Sequence, residues 1–183
     1  MNPAIKSKQI FLFRRILRTA GANKYLLSGV IALVVVAADQ VTKSIIRSKI
    51  PLYKSITVVD GFFNITHVRN KGGAFSLLSG MNSRFFMIAS FIALLIIIMY
   101  LIKLQKTDFP MGRVFDWLIV SLSLISGGAI GNMIDRMRFG EVIDFLDVFF
   151  KNYHWPAFNI ADSSITTGVI ILLIDMVFRR KEK

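Results

Sequence analysis

The chain has 183 residues, of which 54% are hydrophobic and 19% charged, with a mean hydropathy of +0.59. Its 23 Lys and Arg outnumber its 11 Asp and Glu, for a formal net charge of +12, yet the cations sit between long apolar runs. That pattern excludes a soluble basic nucleic-acid binder, which would spread its charge over a polar surface, and points to a membrane protein. There is no cysteine, so disulfide scaffolds, thiolate metal sites and cysteine nucleophiles are excluded too. The two histidines, His67 and His154, stand far apart, which argues against a histidine metal site or a Ser-His triad.

In chain order, residues 1–23 form a basic arm with Lys6, Lys8, Arg14, Arg15 and Arg18. Ile10 to Phe13 is too short for the apolar core of a cleavable signal peptide. Ile5, Leu12, Phe13, Ile16, Leu17 and Ala20 interleave with the cations at roughly helical spacing. Two readings stand side by side, an amphipathic helix lying on a membrane surface and a disordered basic arm. Four spans follow. Leu26 to Ala38 is apolar and runs into Asp39, Gln40 and Lys43; with its flanks, Tyr25 to Ile46 is long enough to span. Phe85 to Ile102 (FFMIASFIALLIIIMYLI) carries no charge. Trp117 to Ile134 is apolar with many Ser and Gly, and Ile160 to Phe178 is interrupted by Asp162 and Asp175. Four spans predict both termini on one side of the membrane. The arm, the connection between the second and third spans and the tail hold thirteen cations, counting Lys24; the opposite side holds nine. The positive-inside rule therefore predicts cytoplasmic termini.

Between the first two spans, residues 51–82 contain the β-prone runs TVV, FFNITHV and AFSLL, punctuated by Asp60-Gly61 and Gly72-Gly73. They predict a small antiparallel sheet with tight turns outside the membrane. Residues 135–159 form the other connection on that side. VIDFLDVFF within it reads as a half-buried interfacial segment. The expected fold is a single α-helical membrane domain over residues 1–183, with four transmembrane helices and a small extracytoplasmic antiparallel β subdomain.

Carboxylates are expensive at bilayer depth, so each acid in or beside a span is a functional candidate. With this topology Asp39, Asp135, Asp144 and Asp162 gather near the outer interface, while Asp116 and Asp175 belong near the inner one. The plain alternative for an aspartate at a span end is solvation or an ion pair. Asp39 has Lys43 at i+4, a helical salt-bridge spacing, and Asp135 has Arg136 beside it. Asp144 and Asp162 have no cation three or four residues away. Two carboxylates sharing a site hold one proton between them. The ionised member can then take a proton from water, while the neutral one polarises a carbonyl and protonates the leaving amine. Spacing does not choose between Asp144–Asp162 and Asp135–Asp162. Asn132 and Asn159 each precede an aspartate by three residues, as hydrogen-bond partners of the site or as ordinary caps. Asn70 sits in a glycine-rich turn. Gly127, Gly128 and Gly131 suit close helix packing.

ADQVTK at 38–43, RNKGGAFSLL at 69–78, GGAIGNMIDR at 127–136, GEVIDF at 140–145 and FNIADSSI at 158–165 together resemble the lipoprotein signal peptidase (signal peptidase II) family. They occur in the family's order and cover nearly the whole four-span chain. The resemblance implies an aspartic endopeptidase of the bacterial inner membrane that needs no cofactor or metal. Its partners would be membrane lipids and a prolipoprotein, cut before a cysteine that already carries diacylglyceryl. It implies a monomer, an active site near the extracytoplasmic face and inhibition by globomycin-type peptides. The family's catalytic pair maps onto Asp144 and Asp162, and Asp39, Lys43, Asn70, Asn132, Asp135, Arg136 and Asn159 map as substrate-binding or supporting residues. One departure is Gly73, where the family's outer-loop string usually has alanine; the arm over residues 1–23 is also longer than is typical. A transporter or proton channel would want acids distributed through the membrane depth, and a scaffold would use the β-prone loop as a partner surface. No G-x-G-D, G-x-S-G or H-E-x-x-H string is present for the other intramembrane protease classes.

Overall fold

A computed structural model of the chain describes residues 3–72, 83–106 and 117–181, with side chains described for 26–72, 83–103 and 117–178. Its elements run α1 (Pro3–Lys49), β1 (Ser55–Val59), β2 (Phe63–Asn70), α2 (Ser83–Lys106), α3 (Trp117–Phe139), β3 (Val142–Phe150), β4 (Tyr153–His154) and α4 (Ile160–Lys181). Each helix contains a stretch long and apolar enough to cross a membrane: Leu26–Lys49, Ser83–Lys103, Trp117–Phe139 and Ile160–Phe178. At about 1.5 Å per residue each stretch is close to the roughly 30 Å hydrocarbon thickness or longer. The chain is a multi-pass membrane protein, and the large side chains that α2 leaves exposed, among them Ile88, Phe91, Ile96 and Met99, face lipid.

α1 is a single helix of 47 residues, so the backbone of the arm is helical from Pro3 onward. It stops at Ile50, because Pro51 disfavours helical geometry in the residue before it. α3 is the central helix, packed against α1, α2 and α4. Its glycines allow this. A Cβ on Gly128 would lie 2.4 Å from the Ala161 carbonyl oxygen of α4, and one on Gly131 would lie 2.7 Å from the Asp39 carboxylate of α1. Both distances are far inside contact, so only glycine lets the three helices meet here. At the opposite end Ile97, Leu118 and Leu122 pack with Leu101, Ile125 and Leu172.

The strands form one antiparallel sheet in the order β1-β2-β3-β4. The expected sheet in residues 51–82 is present as β1 and β2, joined through Gly61 at a φ of +74°; the AFSLL run and Gly73 lie outside the described residues. The sheet extends further than the sequence suggested. VIDFLDVFF is β3, paired with β2 in a register that sets Val68 opposite Asp144 and Asn70 opposite Val142. The segment expected to be half-buried is a strand, buried over its first four residues and more open toward Phe150. Val142, Ile143, Asp144 and Phe145 are buried in succession, so the run lacks the polar-apolar alternation that marks a strand with one wet face. Ile143 and Phe145 pack with Ile46 and Ile50 of the α1 end, and with Phe139 and Ile160. This cluster fixes the sheet onto the ends of α1, α3 and α4, each fully buried side chain contributing about 1.5–3 kcal/mol.

Candidate active site

Two layers of polar residues lie beneath the sheet. The deeper layer begins with Lys43, whose side chain is 2% exposed. Its ammonium has three N–H donors and no acceptor. Three oxygens meet it: Asp39 Oδ2 at 2.8 Å, Asp135 Oδ2 at 2.9 Å and Asn132 Oδ1 at 3.0 Å. A buried charge is tolerable only when paired and fully hydrogen-bonded, and the rest of the layer supplies this. Asp39 Oδ1 accepts from the Ala161 N–H in the first turn of α4 at 3.0 Å, where free N–H groups favour an anion. Asp135 Oδ2 also accepts from the Ile143 N–H at 3.1 Å.

The expected Asp39–Lys43 pair at i+4 is formed. The pairing suggested for Asp135 with adjacent Arg136 is not: among the described residues the cation of Asp135 is Lys43. Successive residues on a helix point about 100° apart, and Arg136 turns its guanidinium over the Phe86 ring, 5.4 Å from the centroid. Its Nε is buried and has no hydrogen-bond partner among the described residues. Gln40 was overlooked at the sequence level, although it stands inside ADQVTK. Its Nε2 donates to Asp135 Oδ1 at 2.9 Å, to the Gly131 carbonyl at 3.2 Å and to Asp39 Oδ2 at 3.2 Å. The only signal for it was an amide one position from a buried aspartate.

The upper layer holds Asp144 on β3 and Asp162 in the first turn of α4. Asn159 joins them. Its Nδ2 donates to Asp144 Oδ1 at 2.7 Å, while its Oδ1 accepts from the Asp162 N–H at 2.9 Å. Asp162 Oδ2 in turn accepts from the Asn159 N–H at 3.3 Å. This reciprocal pattern is a capping box, with the cap residue at Asn159 and the acid three residues on. The same residues that start α4 thus orient both carboxyl groups. Asn132 Nδ2 donates to Asp162 Oδ1 at 2.7 Å and Asn70 Nδ2 donates to Asp144 Oδ2 at 3.0 Å. Asn70 is itself fixed, its Oδ1 accepting from the Gly72 N–H at 2.8 Å. Asp39, Lys43, Asn70, Asn132, Asp135, Asp144, Asn159 and Asp162 are therefore one connected network drawn from α1, β2, α3, β3 and α4.

Burial, and after it the charge of Asp162, push the Asp144 carboxyl up to about 7 from the ordinary carboxylate range. The hydrogen bonds from Asn70 and Asn159 and the charge of Lys43 oppose that rise without cancelling it. Asp144 thus retains a proton at a pH where an ordinary aspartate would have lost it. The other acid of VIDFLDVFF, Asp147, is held apart from the site by Asn64 at 3.0 Å and His154 at 2.8 Å. Asp175 lies 13 residues beyond Asp162, about 20 Å further along α4 at 1.5 Å per residue. Among the described residues no group of three or more His, Cys, Asp or Glu is arranged to hold a metal ion.

Residues 31–178 match a family model described as signal peptidase (SPase) II. The lipoprotein signal peptidase of Syntrophus aciditrophicus is 47% identical over 153 residues, 81% of this chain and 91% of that one. The lipoprotein signal peptidase of Geobacter sulfurreducens is 47% identical over 147 residues, 79% of this chain and 88% of that one. Among solved structures, a bacterial membrane enzyme determined by the in meso method at 2.3 Å resolution superposes with a TM-score of 0.74 at 40% identity. The match covers 86% of this chain and 91% of that one.

Proposed function

The chain belongs to the signal peptidase II family, and from that premise we propose that Asp144 and Asp162 are its catalytic pair. As a family member it is a peptidase that removes signal peptides from prolipoproteins. The observation that carries the aspartic reading is the joint orientation of two carboxyl groups by one buried asparagine, Asn159, with Asp144 pushed up to about 7. Such a pair holds one proton near neutral pH.

One carboxylate takes a proton from water as its oxygen bonds to the scissile carbonyl carbon. The protonated carboxyl gives its proton to the carbonyl oxygen, which leaves a neutral tetrahedral diol. Collapse breaks the C–N bond. The departing nitrogen gains a proton from the carboxyl that water protonated, and a diol proton returns to the other, so the pair ends with the single proton it began with. Arg136 stands within electrostatic reach of both carboxylates and supplies positive charge beside the developing oxyanion.

The sheet and both strand-bearing connections lie on one face, opposite the termini, because an odd number of crossings separates each connection from either terminus. The excess of cations on the terminal side supports cytoplasmic termini, a site near the extracytoplasmic face and residence in the bacterial inner membrane. The substrate is a prolipoprotein whose cysteine already carries diacylglyceryl, which brings the scissile bond to the membrane surface where Asp144 and Asp162 sit. The enzyme works as one 1–183 domain and as a monomer, without cofactor, and is blocked by globomycin-type peptides. The test is cleavage of lipidated against unlipidated prolipoprotein by purified parent, Asp144→Asn and Asp162→Asn, with and without globomycin. Processing should be confined to the lipidated substrate and the parent, and globomycin should abolish it. Parental rates in either variant, with folding retained, overturn the assignment.

A further inference from the structure

We infer that Lys43 is a positioning residue for the reaction: it locks the Asn132 amide so that its NH2 faces Asp162, which makes Asp162 the ionised, water-activating member of the pair. The inference rests on the Asp144–Asp162 reading above. A side-chain amide has two faces, and here the neighbours choose between them. Asn132 Oδ1 receives donors from Lys43 Nζ at 3.0 Å and Asn159 Nδ2 at 3.2 Å. An ammonium offers donors only, so turning the amide over would set NH2 against NH3+ inside a buried site. Asn132 Nδ2 is thereby held on Asp162 Oδ1 at 2.7 Å. A donor fixed on a carboxylate favours its anion.

The Lys43 charge is fixed in turn by Asp39 and Asp135, both 1% exposed or less. Asp162 also receives the Asn159 N–H and lies in the first turn of α4, where the helix end favours negative charge. The charged groups around it are Asp39 and Lys43 from α1, Asp135 and Arg136 from α3, and Asp144 from β3. Of these only Lys43 touches the amide that touches Asp162. Asp144 receives its donors from Asn70 and Asn159, amides that no cation touches among the described residues, and is the member that keeps the proton.

The test is the acid limb of the kcat–pH profile, where activity is lost as the pair takes up a second proton. Lys43→Met combined with Asp39→Asn removes the cation while preserving the net charge of the Asp39–Lys43–Asp135 cluster. The amide left at position 39 still accepts from the Ala161 N–H. With Asn132 Oδ1 held only by the longer contact from Asn159 Nδ2 at 3.2 Å, the donor on the anion loosens and the acid limb should move up by about one pH unit. Lys43→Arg, again a donor-only cation, should leave the limb in place. In an Asn132→Ala background the limb should already be displaced, and the Lys43 and Asp39 changes should add no further shift. The folded fraction, read by circular dichroism at each pH, is divided out of kcat, so a variant that folds poorly still reports. The inference is overturned if activity falls with the limb unmoved, which is what a structural role predicts. It is overturned too if the full shift recurs in the Asn132→Ala background, because Lys43 would then act by charge alone. The catalytic-pair reading fails separately, through active variants at position 144 or 162.

Discussion

Replacing Asp144 by Asn should abolish cleavage and yet make the protein progressively more stable than the parent as pH rises. The carboxyl is held near pH 7 in the fold, chiefly by burial, against 3.8 for an ordinary aspartate. A raised carboxyl contributes its full stability below the unfolded value and loses it as pH rises through the folded one. At pH 5 the unfolded carboxyl is already ionised, and keeping Asp144 protonated costs the fold about 1.5 kcal/mol; by pH 8 the cost reaches about 4 kcal/mol, at 1.36 kcal/mol per unit. Asn cannot titrate, so it escapes this cost. It brings one of its own, because its NH2 must face the Nδ2 of either Asn70 or Asn159, both of which donate to Asp144 now. That loss is about 1–3 kcal/mol and is independent of pH. The signature is therefore the slope. Thermal unfolding of the purified proteins in detergent at pH 5, 6, 7 and 8 should show the difference, variant minus parent, rising by about 2–3 kcal/mol across the range. Cleavage should fall by a factor of about 10² to 10⁴, the span general acid–base groups supply. A difference that is flat or declines with pH would refute the claim that Asp144 carries the raised carboxyl.

Three further outcomes follow from the same geometry. Activity should decline above pH 7 as the pair loses its shared proton, and Asn70→Leu, which removes a donor from the Asp144 carboxylate, should move that alkaline limb up by about one unit; a kcat–pH profile normalised to its plateau reads it. Gln40→Leu should cost about 1–3 kcal/mol in thermal or denaturant unfolding, by stripping a donor from buried Asp135, while cleavage stays within a few-fold of the parent. Gly131→Ala should lower both stability and activity, because its Cβ must displace the Asp39 carboxylate from 2.7 Å; overpacking of this kind costs about 1–3 kcal/mol.

Much of the site was legible in the sequence because it obeys local rules. The Asp39–Lys43 pair follows from a spacing of four on a helix, and the Asn159–Asp162 cap from a spacing of three. Asp144 and Asp162 stood out as acids with no cation at helical distance, and the structure joins them through Asn159. What stayed hidden depends on long-range placement. That Lys43 also serves Asp135, 92 positions away, is a property of how α1 crosses α3, and adjacency instead suggested Arg136. The strand character of β3 was concealed because Val142 to Phe145 are buried on both faces, which erases the alternation that reveals a strand. Gln40 carries no charge and sits in a span, where an amide looks incidental until its neighbours are known.

The pairing of β2 with β3 has a consequence for biogenesis. β2 lies between the first two helices and β3 between the last two, so the sheet staples an early helical hairpin to a late one. The Asp39 carboxylate waits for the Ala161 N–H across 122 positions of chain, and Asn70 waits for Asp144 across 74. Contacts this distant close late, after loop-closure entropy has been overcome. A nascent chain with two or three helices in the bilayer therefore holds an Asp39 carboxylate still short of the Ala161 donor, and on the proposed assignment it holds no pair until the first turn of the fourth helix arrives. On that assignment the enzyme is inert for most of its own synthesis, and a product truncated before α4 is a burden on quality control and not a stray protease.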